Sequence, residues 1–274
     1  MESLEGSTAL ITGSAQGLGL AIAKQLSHDG ADVILADLQI QKAEQVAEEL
    51  SSINGKQVKA YSIDIADSHS VDECFSIVES EFGRLDIVVN NAAIGQTITP
   101  LIELSDADWH HVLQVSLTGT FYCCRAAGLI MKRQTSGCIV NLSSINGLNP
   151  PALGGAYNVA KAGVINLTQT LAAELGIYGV RVNAVCPGPV YTDFNKRVMK
   201  ERGKSLGVPE TEVIEKIRQS IPLGRWGKPK DIAQAVSFLC SSRASWVTGE
   251  VWRVSGGLSG VSATPTSLDL ETTP

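Results

Sequence analysis

The sequence predicts an α/β fold: a doubly wound parallel sheet of about seven strands with helices on both faces. Three observations lead there. Short apolar runs alternate with stripes at helical spacing along most of the chain. The first run passes through a glycine-rich turn straight into a helix. No internal repeat and no interdomain linker breaks the alternation.

The elements follow in order. Thr8–Thr12 is the first run, and Leu18, Ile22 and Leu26 stripe the helix after the turn. Asp32–Asp37 is the second run, followed by Ala43, Val46, Ala47 and Leu50 at helical spacing. A third run ends near Asp64, before a helix marked by Val71, Phe75, Val78 and Phe82. The fourth covers 85–90 and leads to a long helical stretch over about 106–132. The fifth covers 138–143, and Ala160, Val164, Leu167, Leu171 and Leu175 mark the next helix. The sixth covers 181–186; a helix lies near 231–240 and a last strand near Val251–Val254. Residues 189–229 read as an insertion with some helix of its own at 210–219, of a kind that often forms a lid. The tail, 261–274, is acidic and rich in Ser, Thr and Pro; it is either disordered or docked on a neighbouring subunit.

Size and composition bound the function. A chain of 274 residues suits one large α/β domain that buries a full core without staples. Hydrophobic residues at 44%, charged residues at 18% and a mean hydropathy of +0.10 describe a well-packed soluble protein. The net charge of −6, with no run of Lys and Arg, disfavours nucleic acid as a partner. The cysteines (Cys74, Cys123, Cys124, Cys138, Cys186, Cys240) form no C-x-x-C pair and lie mostly in apolar runs. They point to a reducing compartment, with neither disulfides nor a metal site. The start lacks a basic, then apolar, leader, and no apolar run reaches membrane-spanning length. The expectation is a cytoplasmic protein with no membrane contact.

Open α/β sheets bind ligands outside the carboxyl ends of their strands, so the residues after each run matter most. After the first comes Thr12-Gly13-Ser14-Ala15-Gln16-Gly17-Leu18-Gly19. Glycines there let the backbone approach a pyrophosphate, and the helix that follows offers free N–H groups and a positive dipole end. Asp37 ends the second run; it is either a solvated strand end or helix cap, or a carboxylate that can accept both ribose hydroxyls of NAD and would repel the extra phosphate of NADP. No Arg or Lys occurs within 14–16 or beside Asp37, which also favours NAD. Asp64 is either an acceptor for the adenine amino group or a turn former. The Asn90-Asn91-Ala92-Ala93 segment either touches the cofactor or braces the sheet end.

Tyr157 and Lys161 lie four apart on a helix and share a face. Spacing alone leaves open a lysine that snorkels out to water. The chemistry favours the pair. Carbonyl reduction needs an acid at the oxygen and alcohol oxidation needs a base. Tyrosine can serve as either, but bringing its pKa from about 10 to about 7 requires about 4 kcal/mol in favour of phenolate. One nearby cation shifts a pKa by about 1–3 units, so Lys161 needs the positive ring of oxidised nicotinamide beside it. Ser144, thirteen residues before Tyr157, can hold the substrate oxygen next to the phenol. Neither G-x-S-x-G nor H-E-x-x-H occurs, so hydrolase chemistry has no support. The histidines (His28, His69, His110, His111) fall in helical or surface contexts and read as solvated.

In this combination and order, residues 12–19, Asn90 to Ala93, Ser144, Tyr157-x-x-x-Lys161, Pro187-Gly188 and Thr192 resemble the short-chain dehydrogenase/reductase family over about 5–258. The resemblance implies a Rossmann-type sheet of seven strands, one dinucleotide-binding catalytic domain over 1–260, and usually a homotetramer. It implies that Tyr157 is the acid/base, that Lys161 lowers its pKa and holds the nicotinamide ribose, and that Ser144 orients the substrate. Val190 and Thr192 would meet the carboxamide, and Asp64, Ile65 and Asn91 would line the adenosine side. Gly13, Gln16, Gly17, Leu18 and Gly19 would surround the pyrophosphate.

Three departures stand out. Ser116 replaces the Asn that supports a relay water in the family; it should face inward and bond the carbonyl four residues back. Ala93 replaces a usual Gly, and Ser255 a common Asp. The stretch 194–223 is similar to that of members acting on small diols, acetoin or sugars. Tyr191, Phe194 and Asn195, with Asn146, Leu148 and Asn149 opposite, are candidates for a mixed pocket. The expected function is hydride transfer between NAD(H) and an alcohol or ketone carbon of a small substrate. The alternative is a dinucleotide-binding sensor or subunit with little turnover, towards which Ser116 alone leans.

Overall fold

The computed structural model describes residues 4–54 and 56–260. The tail expected at 261–274 lies outside them. Seven parallel strands form one sheet in the order β3-β2-β1-β4-β5-β6-β7. They are β1 (Thr8–Thr12), β2 (Asp32–Asp37), β3 (Val58–Ser62), β4 (Ile87–Asn90), β5 (Gly137–Leu142), β6 (Val180–Pro187) and β7 (Val251–Val254). The chain runs outward from β1 to β3, then returns to pair β4 against β1, so the order reverses between β1 and β4. Ligands of open α/β sheets bind at the carboxyl end of such a switch point.

Period-two alternation places successive strand residues on opposite faces. Ala9, Ile11, Val33 and Leu35 pack on one face with Ile22 and Leu26 of α1 (Gly17–His28), Val46 and Leu50 of α2 (Ile40–Asn54), and Val236 and Leu239 of α9 (Pro229–Cys240). Leu10, Ile34 and Val88 pack on the other with Phe75 and Val78 of α3 (Ser68–Phe82) and Ile130 and Met131 of α5 (Thr120–Gln134). Both faces are covered, which is why the strands read as near-continuous apolar runs. Each large aliphatic side chain buried this way contributes about 1.5–3 kcal/mol, so the core outweighs any single polar contact in holding the strand ends that carry the site.

The long helical stretch expected after β4 is three consecutive pieces. α4 (Asp106–Leu113), N-capped by the Ser105 hydroxyl, runs into a π-helical turn over Gln114–Gly119 and then into α5. Its apolar stripe continues through the turn, so the sequence shows no break. α6 (Gly155–Leu175) follows β5 and carries Tyr157 and Lys161.

The insertion holds more helix than expected. Besides α8 (Glu210–Ser220), it contains α7 (Asp193–Leu206), N-capped by Thr192, whose hydroxyl accepts from the Asn195 N–H at 3.3 Å. Met199, Val213, Ile217 and Ile221 seat both helices against Ile145 and Leu258.

Candidate active site

The glycine turn after β1 lies at the switch point. Gly17 holds a φ of +62° and its Cβ position faces open space, leaving backbone accessible at the start of α1. Gly19 works differently. It is buried, and a side chain there would run into Asn91 Nδ2 at 2.6 Å. It therefore sets the packing of the loop and does not line the cavity, unlike Gly13, Gln16, Gly17 and Leu18. Asn91 braces this loop: its Nδ2 donates to the carbonyls of Thr12 at 3.0 Å and Gly13 at 2.9 Å, while its N–H donates to the Thr12 hydroxyl. Of the two roles open for this pair, Asn91 performs the bracing while still reaching the cavity wall. Asn90 is buried and donates to Asn141 Oδ1 on β5 at 2.8 Å.

Asp37 is 6% exposed and also lines the cavity. Its carboxylate accepts from the N–H groups of Ala15 at 2.8 Å and Gln39 at 2.9 Å, so it fixes the glycine turn to the end of β2. Each oxygen retains acceptor capacity towards the cavity. The sequence neighbourhood of Asp37 holds no cation, but the fold brings one to the glycine turn: Lys42, on the first turn of α2, donates to Gln16 Oε1 at 2.6 Å. Asp64 accepts from the Ala66 N–H at 2.9 Å, the turn-forming geometry, and lines the cavity beside buried Ile65.

At the other end, Lys161 is 3% exposed. The route out to water left open by its spacing is not taken. Its ammonium donates to the Leu142 carbonyl at the end of β5 at 2.7 Å and lies 5.7 Å from the centre of the Tyr157 ring. Burial lowers the Lys161 pKa to about 8. Burial likewise pushes the Tyr157 phenol up to about 12, while the Ser144 hydroxyl beside it pulls in the opposite direction. Ser144 Oγ accepts from the Asn146 N–H at 3.1 Å, which orients it at the strand end. The Tyr157 N–H donates to Gln96 Oε1 at 3.0 Å, tying the start of α6 to the segment after β4. In the protein alone the phenol is thus firmly in its acid form. It is placed to give up a proton, and to accept one only where further positive charge is brought to it.

Ser116 corrects an expectation. It is fully buried, but its hydroxyl does not bond the carbonyl four residues back. It donates to the Ile94 carbonyl and accepts from the Ile94 N–H, both at 3.1 Å. The Thr120 hydroxyl makes the four-back bond instead, to the Ser116 carbonyl at 3.1 Å. The π-helical turn delivers Ser116 to the irregular segment after β4, where one oxygen supplies both a donor and an acceptor. A carboxamide supplies the same two functions from two atoms.

One cavity of about 760 Å³ joins both ends, from Asp37 and Asp64 to Ser144, Tyr157 and Lys161. Val190, buried, and Thr192 line it after β6. Of the candidate pocket residues, Asn146 and Asn195 reach its wall; Tyr191, Leu148 and Asn149 do not. The side chain of Phe194 lies outside the described residues. The sequence reading missed His111, exposed but on the wall, and also Gln96, Arg197, Arg202 and Trp226. It also missed Leu153, whose φ of +67° is rare for a bulky residue, at the wall just before α6.

The donor set fits a dinucleotide. The Ser14 hydroxyl is buried in the glycine turn and finds no partner among the described residues. Gly17 leaves an open cradle, and Asp37 presents acceptors at the end of β2. The described residues hold no group of His, Cys, Asp and Glu placed to bind a metal, and no helix long and apolar enough to cross a membrane.

Comparison with known proteins agrees with this geometry. A family model described as enoyl-(acyl carrier protein) reductase matches residues 13–259. The 3-oxoacyl-[acyl-carrier-protein] reductase of Aquifex aeolicus is 37% identical over 255 residues, covering 93% of this chain and 98% of that protein. The solved structure of an NAD⁺-bound xylitol dehydrogenase superposes with a TM-score of 0.89 at 29% identity, covering 92% of this chain and 99% of the other. L-sorbose reductase from Gluconobacter frateurii, complexed with NADPH and L-sorbose, gives a TM-score of 0.88 at 31% identity, over 94% and 98% of the two chains.

Proposed function

The chain belongs to the short-chain dehydrogenase/reductase family, oxidoreductases acting on alcohol and ketone carbons, and we propose that it uses NAD(H) on a small substrate. Candidates are a diol, hydroxyketone, sugar or cyclic alcohol. The observation that carries this reading is the meeting of Ser144, Tyr157 and a buried Lys161 at one end of a cavity that Asp37 lines at the other.

When bound, the nicotinamide supplies or accepts the hydride and, oxidised, contributes a positive ring. The protein's own groups handle the proton. In reduction the Tyr157 hydroxyl gives its proton to the substrate oxygen as the carbonyl carbon gains hydride. In oxidation the Tyr157 oxygen takes that proton back from the alcohol. Ser144 holds the substrate oxygen by a hydrogen bond that strengthens as negative charge builds there. Lys161, anchored on Leu142, provides a fixed positive charge that favours phenolate and donors for the ribose hydroxyls. Val190 and Thr192 would meet the carboxamide. Asp64, Ile65 and Asn91 would line the adenosine side, with Gly13, Gln16, Gly17 and Leu18 around the pyrophosphate.

NAD is favoured over NADP by relative burial. Asp37 is nearly dry, so its repulsion of a phosphate is little screened. Lys42 acts from an exposed side chain, where salt and water weaken it. We further propose that 189–229 closes over the substrate, that 1–260 acts as one domain, and that the enzyme is a cytoplasmic homotetramer. The test is steady-state reduction of small ketones with each cofactor. Turnover favouring NADH is expected; turnover with NADPH alone would overturn the cofactor assignment.

A further inference from the structure

Helix α6 begins without a cap of its own. Its N-cap residue is Gly154, which has no side chain to accept from the first turn. The N–H groups of that turn find no partner within the helix, and Tyr157 is the third residue in it. Gln96, 61 residues earlier in the chain, supplies an acceptor: its Oε1 takes the Tyr157 N–H at 3.0 Å.

The Gln96 amide is held from both sides. Its Nε2 donates to the Thr97 carbonyl at 3.2 Å and reaches the Leu153 carbonyl at 3.5 Å. An N–H on one side and carbonyls on the other leave a carboxamide only one way round. Leu153 holds a φ of +67°, backbone that a bulky residue keeps only where its surroundings impose it. Gln96 thus bridges that strained turn and the first turn of α6. Its own segment is anchored two residues earlier, where the Ile94 N–H and carbonyl are both bonded to the hydroxyl of buried Ser116. Gln96, Leu153 and Tyr157 all line the cavity.

We propose that Gln96 is a positioning residue for hydride transfer: by capping α6 at Tyr157 from outside the helix, it sets where the phenol stands. The inference rests on the hydride-transfer reading. Proton transfer needs the phenol oxygen within hydrogen-bond reach of the substrate oxygen, and a displacement of about 1 Å can cost about 10²-fold in rate. A shift at the start of α6 moves Tyr157 directly, whereas Lys161, a turn further on, keeps its own tie to Leu142. Loss of the cap therefore falls on the rate and not on cofactor binding.

The experiment compares Gln96→Met and Gln96→Glu with wild type in NADH-dependent reduction across a panel of small ketones. The first substitution fills the same space without an acceptor. The second keeps the acceptor for the Tyr157 N–H and loses the donor. Gln96→Met is expected to lower kcat about 10- to 100-fold. KM for the ketone and Kd for NADH should stay unchanged, the pattern of an interaction that counts only in the transition state. Gln96→Glu is expected to fall between Gln96→Met and wild type. Melting temperature and NADH affinity report the fold, and Gln96→Ala replaces Gln96→Met if the thioether is not accommodated. An unchanged kcat in Gln96→Met, a loss carried by KM alone, or a Gln96→Glu no better than Gln96→Met overturns the positioning role. Wild type inert across the panel defeats the hydride-transfer reading itself, and the positioning role falls with it.

Discussion

The Lys161 ammonium donates to the carbonyl oxygen of Leu142 at 2.7 Å, joining α6 to the end of β5. A neutral carbonyl fixes the ammonium without cancelling its charge, as a carboxylate would. The charge remains available to the phenol of Tyr157, whose ring centre is 5.7 Å away. Lys161→Met should lower kcat for alcohol oxidation by about 10²–10⁴, the usual range for loss of acid–base function. The acid limb of its pH profile should also move to higher pH. A profile that keeps its position would show that the lysine serves binding alone.

The same burial makes a stability prediction. Lys161 titrates at about 8 in the folded protein and near its ordinary 10.5 when unfolded. Between those values the unfolded chain binds more protons, so this residue's contribution to stability rises with pH. Below about 8 its burial penalty is present in full. Denaturant unfolding of wild type and Lys161→Met at pH 7.5 and 9.5 should show the difference moving towards wild type by about 2 kcal/mol at the higher pH. A pH-independent difference would place the ammonium in water.

Asp37 accepts from the Ala15 N–H and Lys42 donates to the next residue, Gln16, so on the proposed cofactor reading their charges should act in opposite directions on NADPH. Asp37→Ala should erode discrimination against NADPH by about 10-fold or more, consistent with removing one poorly screened charge. Adding Lys42→Ala should then weaken NADPH binding in that background. Kd values for both cofactors by fluorescence titration check this. Unchanged discrimination in Asp37→Ala would remove the carboxylate from the ribose site.

Ser116 should tolerate Asn better than Ala. Ser116→Ala removes the partner of both the N–H and the C=O of part-buried Ile94, at a cost of about 0.5–1.5 kcal/mol. Ser116→Asn offers both functions again and should hold activity near or above the wild-type level if a relay water limits the rate. Melting temperature and kcat on both variants decide it; a clear loss in Ser116→Asn with the fold intact would give the hydroxyl a role of its own.

Strands were legible where an apolar run ended at a turn signal, as at Thr8–Thr12, Asp32–Asp37 and Val251–Val254. α7 was not, because its sequence, DFNKRVMKERGKSL, is mostly polar and carries only a thin apolar stripe against α8. The π-helical turn leaves no mark on composition, yet it decides where Ser116 points. Tyr157 and Lys161 were legible because a helix fixes the geometry of positions four apart. The Lys42 bond to Gln16 and the place of Arg202 on the cavity wall were not, because nothing local in sequence brings either residue there. The Ser116 bond to Ile94 was hidden for the same reason: the pair is 22 residues apart, and the nearer helical carbonyl is the default partner.

The account depends most on the Tyr157 phenol as the group that moves the proton. NADH oxidation by wild type and Tyr157→Phe should be followed across small ketones, with NADH affinity measured in parallel. The account predicts turnover in wild type and a loss of about 10²–10⁴ in the variant, with NADH still bound by both. Equal rates in the two proteins, or two proteins equally inert that both bind NADH, would contradict it, and the second result would favour a dinucleotide sensor.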